Sequence, residues 1–192
     1  MNKGDGFETA RLIARPWRSD DVEAAFALYG DPEVVRYLGT EPIPSLTQMG
    51  LQLEAMMARS GAASRGLGVY AAEERATGEV VGTLLIKQLP DAEGALTSDI
   101  EIGWHLKRSH WGQGLATEGG RGLLDYGFHV LGLDLLHAVL EPENLRSLAV
   151  AERLGMQRRG QTKRFYRGLL VEWLSLDREA FLAQPPSTSR MV

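Results

Sequence analysis

The chain has 192 residues, of which 44% are hydrophobic and 24% are charged. These proportions are typical of a globular protein and argue against a disordered, collagenous or coiled-coil chain. Its formal net charge is −4, whereas proteins that bind nucleic acids by neutralising phosphates are usually basic, so we expect no nucleic-acid partner. The absence of cysteine excludes disulfides, thiolate metal sites and cysteine nucleophiles. No signal peptide is visible at the N-terminus and no apolar run approaches the ~20 residues of a membrane span, so we expect a cytoplasmic protein without membrane association.

The first third of the chain predicts one strand and three helical segments. The pattern of apolar residues and capping signals places a strand at Thr9–Trp17, a helix that Ser19–Asp21 caps and that runs through Leu28, a helical turn at Glu33–Leu38, and a helix at Ser45–Arg59.

The remainder predicts three antiparallel strands and then alternating helices and strands. The strands are Leu67–Glu74, Glu79–Leu89 and Ser98–Leu106, followed by a helix at Gly114–Leu131, a strand at Leu135–Glu141, a helix at Leu145–Leu154, strands at Gln157–Tyr166 and Val171–Leu176 that pair through Arg167-Gly168, and a final helical turn that Asp177 caps. This order favours an α+β fold with a mixed sheet. We expect a single domain over residues 1–184 and a disordered tail over residues 185–192, which is rich in proline and serine.

A Gly-x-Gly step lies where a strand passes into a helix, at Gly112 and Gly114. Glycine lets the backbone approach a ligand closely, and the first N–H groups of a helix have no partner within the helix. Such a turn binds phosphate or pyrophosphate, although glycines at a strand-to-helix turn often serve only the turn itself.

A dinucleotide-binding alternative is weaker. Position 117 is threonine where the Gly-x-Gly-x-x-Gly pattern needs glycine, and antiparallel strands precede the turn instead of a βαβ unit. Glu141 at the end of the following strand is the feature that keeps a nicotinamide-nucleotide enzyme open.

Several segments in order resemble the GNAT N-acetyltransferases, and within them the subgroup that acetylates N-termini of ribosomal proteins. They are Thr9–Pro16, Val80–Leu84, Glu101–Trp104, Trp111–Glu118, and Glu143–Ser147 with Glu152–Met156. The resemblance spans about residues 8 to 182. It implies a mainly antiparallel mixed sheet of about six to seven strands, flanked by helices and splayed in the middle to admit acetyl-CoA as co-substrate.

The resemblance also implies where acetyl-CoA binds. In the family, successive backbone N–H groups after the splayed strand hold the pyrophosphate, and they correspond here to Trp111, Gly112, Gln113, Gly114, Leu115, Ala116 and Thr117. The backbone of the strand itself, at Ile102, Trp104 and Leu106, would hold the acetyl carbonyl and the pantetheine arm. This sequence departs from the subgroup at Gly119, Gly120 and Gly122, which imply either very close packing of the helix or a loose first turn.

Acyl transfer to an amine requires a proton acceptor for the amine and a proton donor for the leaving thiolate. Glu101 is the candidate general base, acting directly or through water, and the alternative is a solvated residue or an ion-pair partner. By resemblance, Asn144 binds the pantetheine arm and Ser147 lies near the sulfur as a proton donor, whereas both residues are also ordinary at a helix start.

The acceptor side is less determined. Resemblance places Tyr37 and Leu38 in the acceptor cleft, and the acceptor is an amine on a protein N-terminus or a small molecule. His129 and His137 are expected to be structural, His110 could lie near a phosphate, and the four histidines show no metal-binding spacing, so no metal is expected. A CoA-binding sensor or partner domain without turnover is the second hypothesis, and the sequence leaves a homodimer open.

Overall fold

A computed structural model describes residues 6–63 and 66–184, so the predicted tail at 185–192 lies outside the described residues. Eight strands form one sheet in the order β1-β2-β3-β4-β5-β6-β8-β7. The strands are β1 Phe7–Glu8, β2 Leu12–Pro16, β3 Gly68–Glu74, β4 Val80–Pro90, β5 Leu96–Leu106, β6 Leu135–Leu140, β7 Gln157–Thr162 and β8 Val171–Asp177. The helices are α1 Val22–Tyr29, α2 Pro32–Val35, α3 Leu46–Ala62, α4 Leu115–Asp125, α5 Leu145–Arg153 and α6 Arg178–Leu182. The predicted α+β class with a mixed, mainly antiparallel sheet is confirmed.

The predicted count of six to seven strands is one or two too low, because a short strand, β1, precedes the first predicted strand and forms a hairpin with β2. The Thr9 N–H donates to the Leu12 carbonyl at 2.8 Å, and the Leu12 N–H donates to Thr9 Oγ1 at 3.0 Å. These two bonds close a tight turn between β1 and β2, and alternation of apolar residues carries no signal for such a turn.

The start of the first helix also differs from the prediction. Ser19–Asp21 form a 3₁₀ turn ahead of α1, and the Asp21 side chain does not cap α1. Its carboxylate instead accepts two hydrogen bonds from Arg15, at 2.7 and 2.8 Å. The buried Arg15 guanidinium therefore binds this carboxylate, which does not cap α1. The cap predicted at Asp177 is present on α6, and the structure adds a cap at Ser45 on α3.

Helix α4 packs very closely on the sheet, and its three glycines make this packing feasible. A Cβ added at Gly119 would lie 2.6 Å from Leu84, one at Gly120 would lie 2.6 Å from Leu154, and one at Gly122 would lie 2.5 Å from Phe7. Of the two explanations that the glycines implied, the structure supports close packing. The helix then continues as a π-helical turn at Tyr126–Val130.

The strand predicted to reach Tyr166 ends at Thr162. Tyr166 and Arg167 have φ of 50° and 58°, a left-handed conformation that is rare for residues other than glycine and incompatible with a strand. The segment between β7 and β8 is therefore a folded loop and not a two-residue hairpin.

Candidate functional site

The sheet opens between its two central strands. Every neighbouring pair of strands is antiparallel except β5 and β6, which are parallel and form one residue pair, Glu101 with His137. Beyond that pair the strands diverge, and a cavity of about 2010 Å³ occupies the opening. This is the splay that the sequence resemblance implied.

The strand predicted to hold the acetyl and pantetheine groups lines this cavity. Ile102, Trp104 and Leu106 all lie along its wall, and Ala138–Leu140 of β6 face them. Because Trp104 and Leu106 have no strand partner on the β6 side within the described chain, their backbone N–H groups on that edge are available to a ligand.

The predicted pyrophosphate turn follows β5 directly. Gly112 and Gly114 have φ of 76° and 80°, which glycine adopts at little cost. Gly114 is the N-cap of α4 and, within the described residues, no side chain caps this helix. The N–H groups of the first turn therefore remain available, and the helix dipole adds partial positive charge there.

Six of the seven predicted turn residues line the cavity, namely Trp111, Gly112, Gly114, Leu115, Ala116 and Thr117. Gln113 does not. Its carbonyl accepts a hydrogen bond from Arg11 Nη1 at 3.0 Å, and its side-chain amide donates to the Ser109 carbonyl at 3.0 Å. The structure thus gives Gln113 a role in shaping the turn.

A charged contact fixes the turn and the helix to the β1–β2 hairpin. Glu118 of α4 pairs with Arg11 at 2.6 Å and accepts a hydrogen bond from the Thr9 hydroxyl, also at 2.6 Å. Arg11 lines the cavity beside the turn. Sequence reasoning used Thr9 and Arg11 only as part of the resemblance, because their contacts with residues 113 and 118 are far apart in sequence.

Trp111 is held from both sides at the mouth of the opening. Its indole N–H donates to the Leu106 carbonyl at 2.8 Å, and the Arg146 guanidinium lies 4.6 Å from the centre of its ring. Arg146 stands at the start of α5, so this stacking connects α5 to the turn that precedes α4.

Asn144 and Ser147 line the cavity together at the start of α5. The Asn144 side-chain oxygen accepts a hydrogen bond from the Ser147 N–H at 3.1 Å, which caps the helix. Asn144 therefore caps the helix, as the sequence also allowed. The cap uses its side-chain oxygen and does not involve its amide nitrogen. Tyr37 and Leu38, after α2, also line the cavity.

Glu101 lies at the apex of the opening but does not line the cavity. Its side chain is 5% exposed, accepts a hydrogen bond from the Tyr166 hydroxyl, and lies 3.0 Å from the Lys87 ammonium. Burial raises the pKa of Glu101, and the Lys87 cation and the Tyr166 hydroxyl oppose that rise without cancelling it. A buried carboxyl with a raised pKa is a typical proton acceptor, while the ion pair with Lys87 is the alternative that the sequence also allowed.

A second buried polar group lies on the same face of β5. The Tyr29 hydroxyl lies 2.8 Å from Thr83 Oγ1 and 3.3 Å from His105 Nδ1. Burial lowers the pKa of His105 to about 4, with the Lys87 cation as a smaller cause, and burial raises the pKa of Tyr29 to about 12. His105 is therefore neutral at physiological pH, and it lines the cavity.

The other histidines occupy different surroundings. His137 is buried and its Nδ1 accepts a hydrogen bond from the Trp173 indole at 3.0 Å; His129 packs edge-on against Phe181; and His110 lines the cavity beside the turn. Within residues 6–63 and 66–184 no three His, Asp or Glu side chains are grouped to hold a metal ion. In the same ranges, no helix has the length and apolarity of a membrane span.

Comparison with known proteins gives a consistent result. A family model described as an acetyltransferase (GNAT) domain matches residues 11–157. The N-acetyltransferase p20 of Bacillus licheniformis, itself uncharacterised, is 32% identical over 154 residues, which are 79% of this chain and 82% of that protein.

Solved structures agree in fold. A GNAT-family acetyltransferase from Bacillus anthracis superposes with a TM-score of 0.73 at 21% identity, covering 90% of this chain and 98% of that one. A spermidine N-acetyltransferase from Vibrio cholerae, solved with CoA and spermine, superposes with a TM-score of 0.69 at 18% identity, covering 89% and 98%. At these identities the two structures establish likeness of fold alone.

Proposed function

The chain belongs to the GNAT acetyltransferase family, and from that premise we propose that it transfers the acetyl group of acetyl-CoA directly to a primary amine. The acceptor is a protein N-terminus, as in the ribosomal-protein subgroup, or a small-molecule amine. The observation that carries the proposal is the cavity itself, which runs without interruption from the turn at Gly112–Thr117 into the opening between β5 and β6.

The residues present fit acetyl-CoA. The uncapped start of α4 and the open space around Gly112, where an added Cβ would meet no atom within 4 Å, suit a pyrophosphate bound by backbone N–H groups. Ile102, Trp104 and Leu106 would accommodate the pantetheine arm, with Asn144 opposite them. When bound, acetyl-CoA supplies an acetyl thioester, which is reactive towards a neutral amine.

The chain's own residues then perform three tasks. Backbone N–H groups of β5 around Ile102–Leu106 polarise the acetyl carbonyl, because donors fixed in a strand need no rearrangement as charge develops. Glu101 accepts the proton of the amine, and since it does not line the cavity the water-mediated form of this role fits better. Ser147, which lines the cavity, donates a proton to the thiolate as the C–S bond breaks and takes one back from water, while Glu101 returns the amine proton to water.

The proposal is tested by the release of free thiol from acetyl-CoA in the presence of an amine panel that contains short peptides, amino acids and polyamines. General-base catalysis contributes about 10²–10⁴-fold, so we expect Glu101→Gln to lower kcat/KM at neutral pH by at least about 100-fold. Glu79→Gln is the matched control, since Glu79 pairs with Lys107 at 2.9 Å but is half-exposed and outside the cavity.

Four outcomes separate the hypotheses. Turnover by the wild type with loss in Glu101→Gln supports the proposal in full. Turnover that Glu101→Gln leaves unchanged refutes the role of Glu101 as base. Binding of acetyl-CoA without turnover of any amine refutes the enzyme and leaves a CoA-binding sensor, and a thermal shift with NADH instead of acetyl-CoA indicates a nucleotide enzyme.

A further inference from the structure

We propose that Lys87 and Tyr166 are positioning residues for Glu101, which hold its Oε1 atom and leave Oε2 to exchange the proton of the acceptor amine. This inference rests on the proposed function and names two residues of its catalytic machinery that local sequence patterns do not indicate. The Lys87 ammonium and the Tyr166 hydroxyl both contact Oε1 of Glu101. Among the described residues no hydrogen bond is made to Oε2.

Lys87 is directed to Glu101 by the register of the sheet. The two residues are opposite each other in the β4–β5 pair, where side chains on one face come within direct contact. The ammonium lies 3.0 Å from Oε1 and 5.3 Å from the centre of the Tyr166 ring. Lys87 therefore contacts both the carboxylate and the residue that donates to it.

Tyr166 reaches Glu101 from the loop between β7 and β8. Its backbone and that of Arg167 adopt left-handed conformations, which are unfavourable for these residue types and persist where surrounding contacts enforce them. The neighbouring Phe165 is 1% exposed and forms an isolated bridge with Asp91. The buried Phe165 ring thus anchors the loop, and the left-handed backbone at Tyr166 places its hydroxyl within hydrogen-bonding distance of Glu101 Oε1.

The other ionisable groups around Glu101 are accounted for. His137 is its partner on β6, and burial lowers the pKa of this imidazole, which stays neutral. Asp99, two residues earlier on β5, lies 3.8 Å from His137 and 3.4 Å from Arg164. His105, four residues later on β5, is neutral as well. The Lys87 ammonium is consequently the one cation in direct contact with the carboxylate among the described residues.

The direction of the expected effect follows from these contacts. Burial raises the pKa of Glu101, while Lys87 and, to a smaller degree, the Tyr166 hydroxyl stabilise the carboxylate and lower it. When either group is removed, less counteracts the effect of burial on the pKa, and the pKa of Glu101 rises further. A base that must be ionised then loses activity first at low pH, and the acidic limb of kcat/KM moves to higher pH.

The test is the pH profile of kcat/KM for Lys87→Met and Tyr166→Phe, measured by thiol release with acetyl-CoA and the best amine of the panel. Dividing each variant's value by the wild-type value at the same pH cancels the ionisation of the amine itself. We expect this ratio to be constant at high pH and to fall about tenfold at low pH for each unit by which the limb moves, with Lys87→Met showing the larger shift.

Matched variants separate positioning from stability. Lys107→Met breaks a Lys–Glu pair of similar length, and Tyr70→Phe removes a buried phenol that donates to the Gly66 carbonyl at 2.9 Å. Both should leave the limb unmoved. Lys87→Arg keeps the cation and should retain the wild-type limb, which also provides a folded variant if Lys87→Met is unstable.

The inference is overturned if Glu101→Gln abolishes the acidic limb while Lys87→Met and Tyr166→Phe leave it in place, or if they lower kcat/KM by the same factor at every pH. The proposed function fails differently, since the wild type itself would then show no thiol release with any amine. The two failures are therefore distinguishable in one set of measurements.

Discussion

Replacing Gly112 with alanine separates the binding of acetyl-CoA from the stability of the fold, and Gly78→Ala is its matched control. Gly112 and Gly78 have φ of 76° and 73°, and an added Cβ meets no atom within 4 Å at either position. The left-handed conformation costs a non-glycine residue about 1–2 kcal/mol. Both variants should therefore lose about the same free energy of unfolding.

The two positions differ in what the new methyl group faces. Gly112 lines the cavity at the proposed pyrophosphate turn, whereas Gly78 lies in the β3–β4 turn outside it. A methyl group at 112 would hold the phosphates away from the backbone, and the loss of one charge-assisted hydrogen bond is worth about 1.5–3 kcal/mol. That range corresponds to a Kd for acetyl-CoA that rises roughly tenfold to a hundredfold.

Isothermal titration with acetyl-CoA, together with thermal unfolding of the free proteins, measures both quantities. We expect equal losses of Tm in the two variants and a weaker Kd in Gly112→Ala alone. Equal Kd values in Gly112→Ala and Gly78→Ala would show that the backbone at residue 112 does not approach the ligand, and the assignment of the turn would be wrong.

Two further predictions concern the scaffold, and urea unfolding measures both. In Gly122→Ala the new Cβ would lie 2.5 Å from the buried Phe7 ring, and we expect overpacking of about 1–3 kcal/mol to outweigh the gain in helix propensity of ~1 kcal/mol. The control Gly50→Ala, whose new Cβ has no atom nearer than 3.9 Å, should stabilise the protein. A stabilising Gly122→Ala would refute the close packing of α4. Burial alone would raise the pKa of Asp21, but hydrogen bonds from Arg15 and from a backbone N–H outweigh this effect, and the pKa lies below the ordinary value of 3.8. The ionised Asp21 therefore stabilises the fold above about pH 4, and this contribution is lost as the pH falls further. Asp21→Asn should then cost about 3 kcal/mol at neutral pH and flatten the acid dependence of stability, and an unchanged dependence would contradict the assignment.

The parts of the fold that were predicted correctly from the sequence depend on local features, namely the period of apolar residues and the residues that cap helices or form turns. Asp177 was predicted to cap the last helical turn, and its side chain accepts the expected backbone N–H, from Ala180. Asp21 looked equivalent but is taken by Arg15, a residue of the neighbouring strand. A preference for the helix start shows that a side chain is able to cap the helix, but tertiary contacts determine whether it caps the helix or binds another residue.

The same distinction divides the candidate site. The turn at Gly112–Gly114 was predictable, because glycines at a strand-to-helix junction mark a turn whose backbone N–H groups a phosphate can approach. Tyr166 was not predictable, because it is 65 positions from Glu101 and reaches it through a left-handed backbone that its residue type does not favour.

The contact between Lys87 and Glu101 could not be predicted even though the pairing of β4 with β5 was. Near the turn, Pro90 is opposite Leu96, and continuing that register along the strands would place Lys87 opposite Asp99. An irregularity between Gln88 and Pro90 shifts the pairing, so that Lys87 faces Glu101 instead. Asp99 is left to contact His137 and Arg164. A shift of register in β5 thus determines which carboxylate receives the ammonium, and Glu101 is the acid for which we propose the role of base.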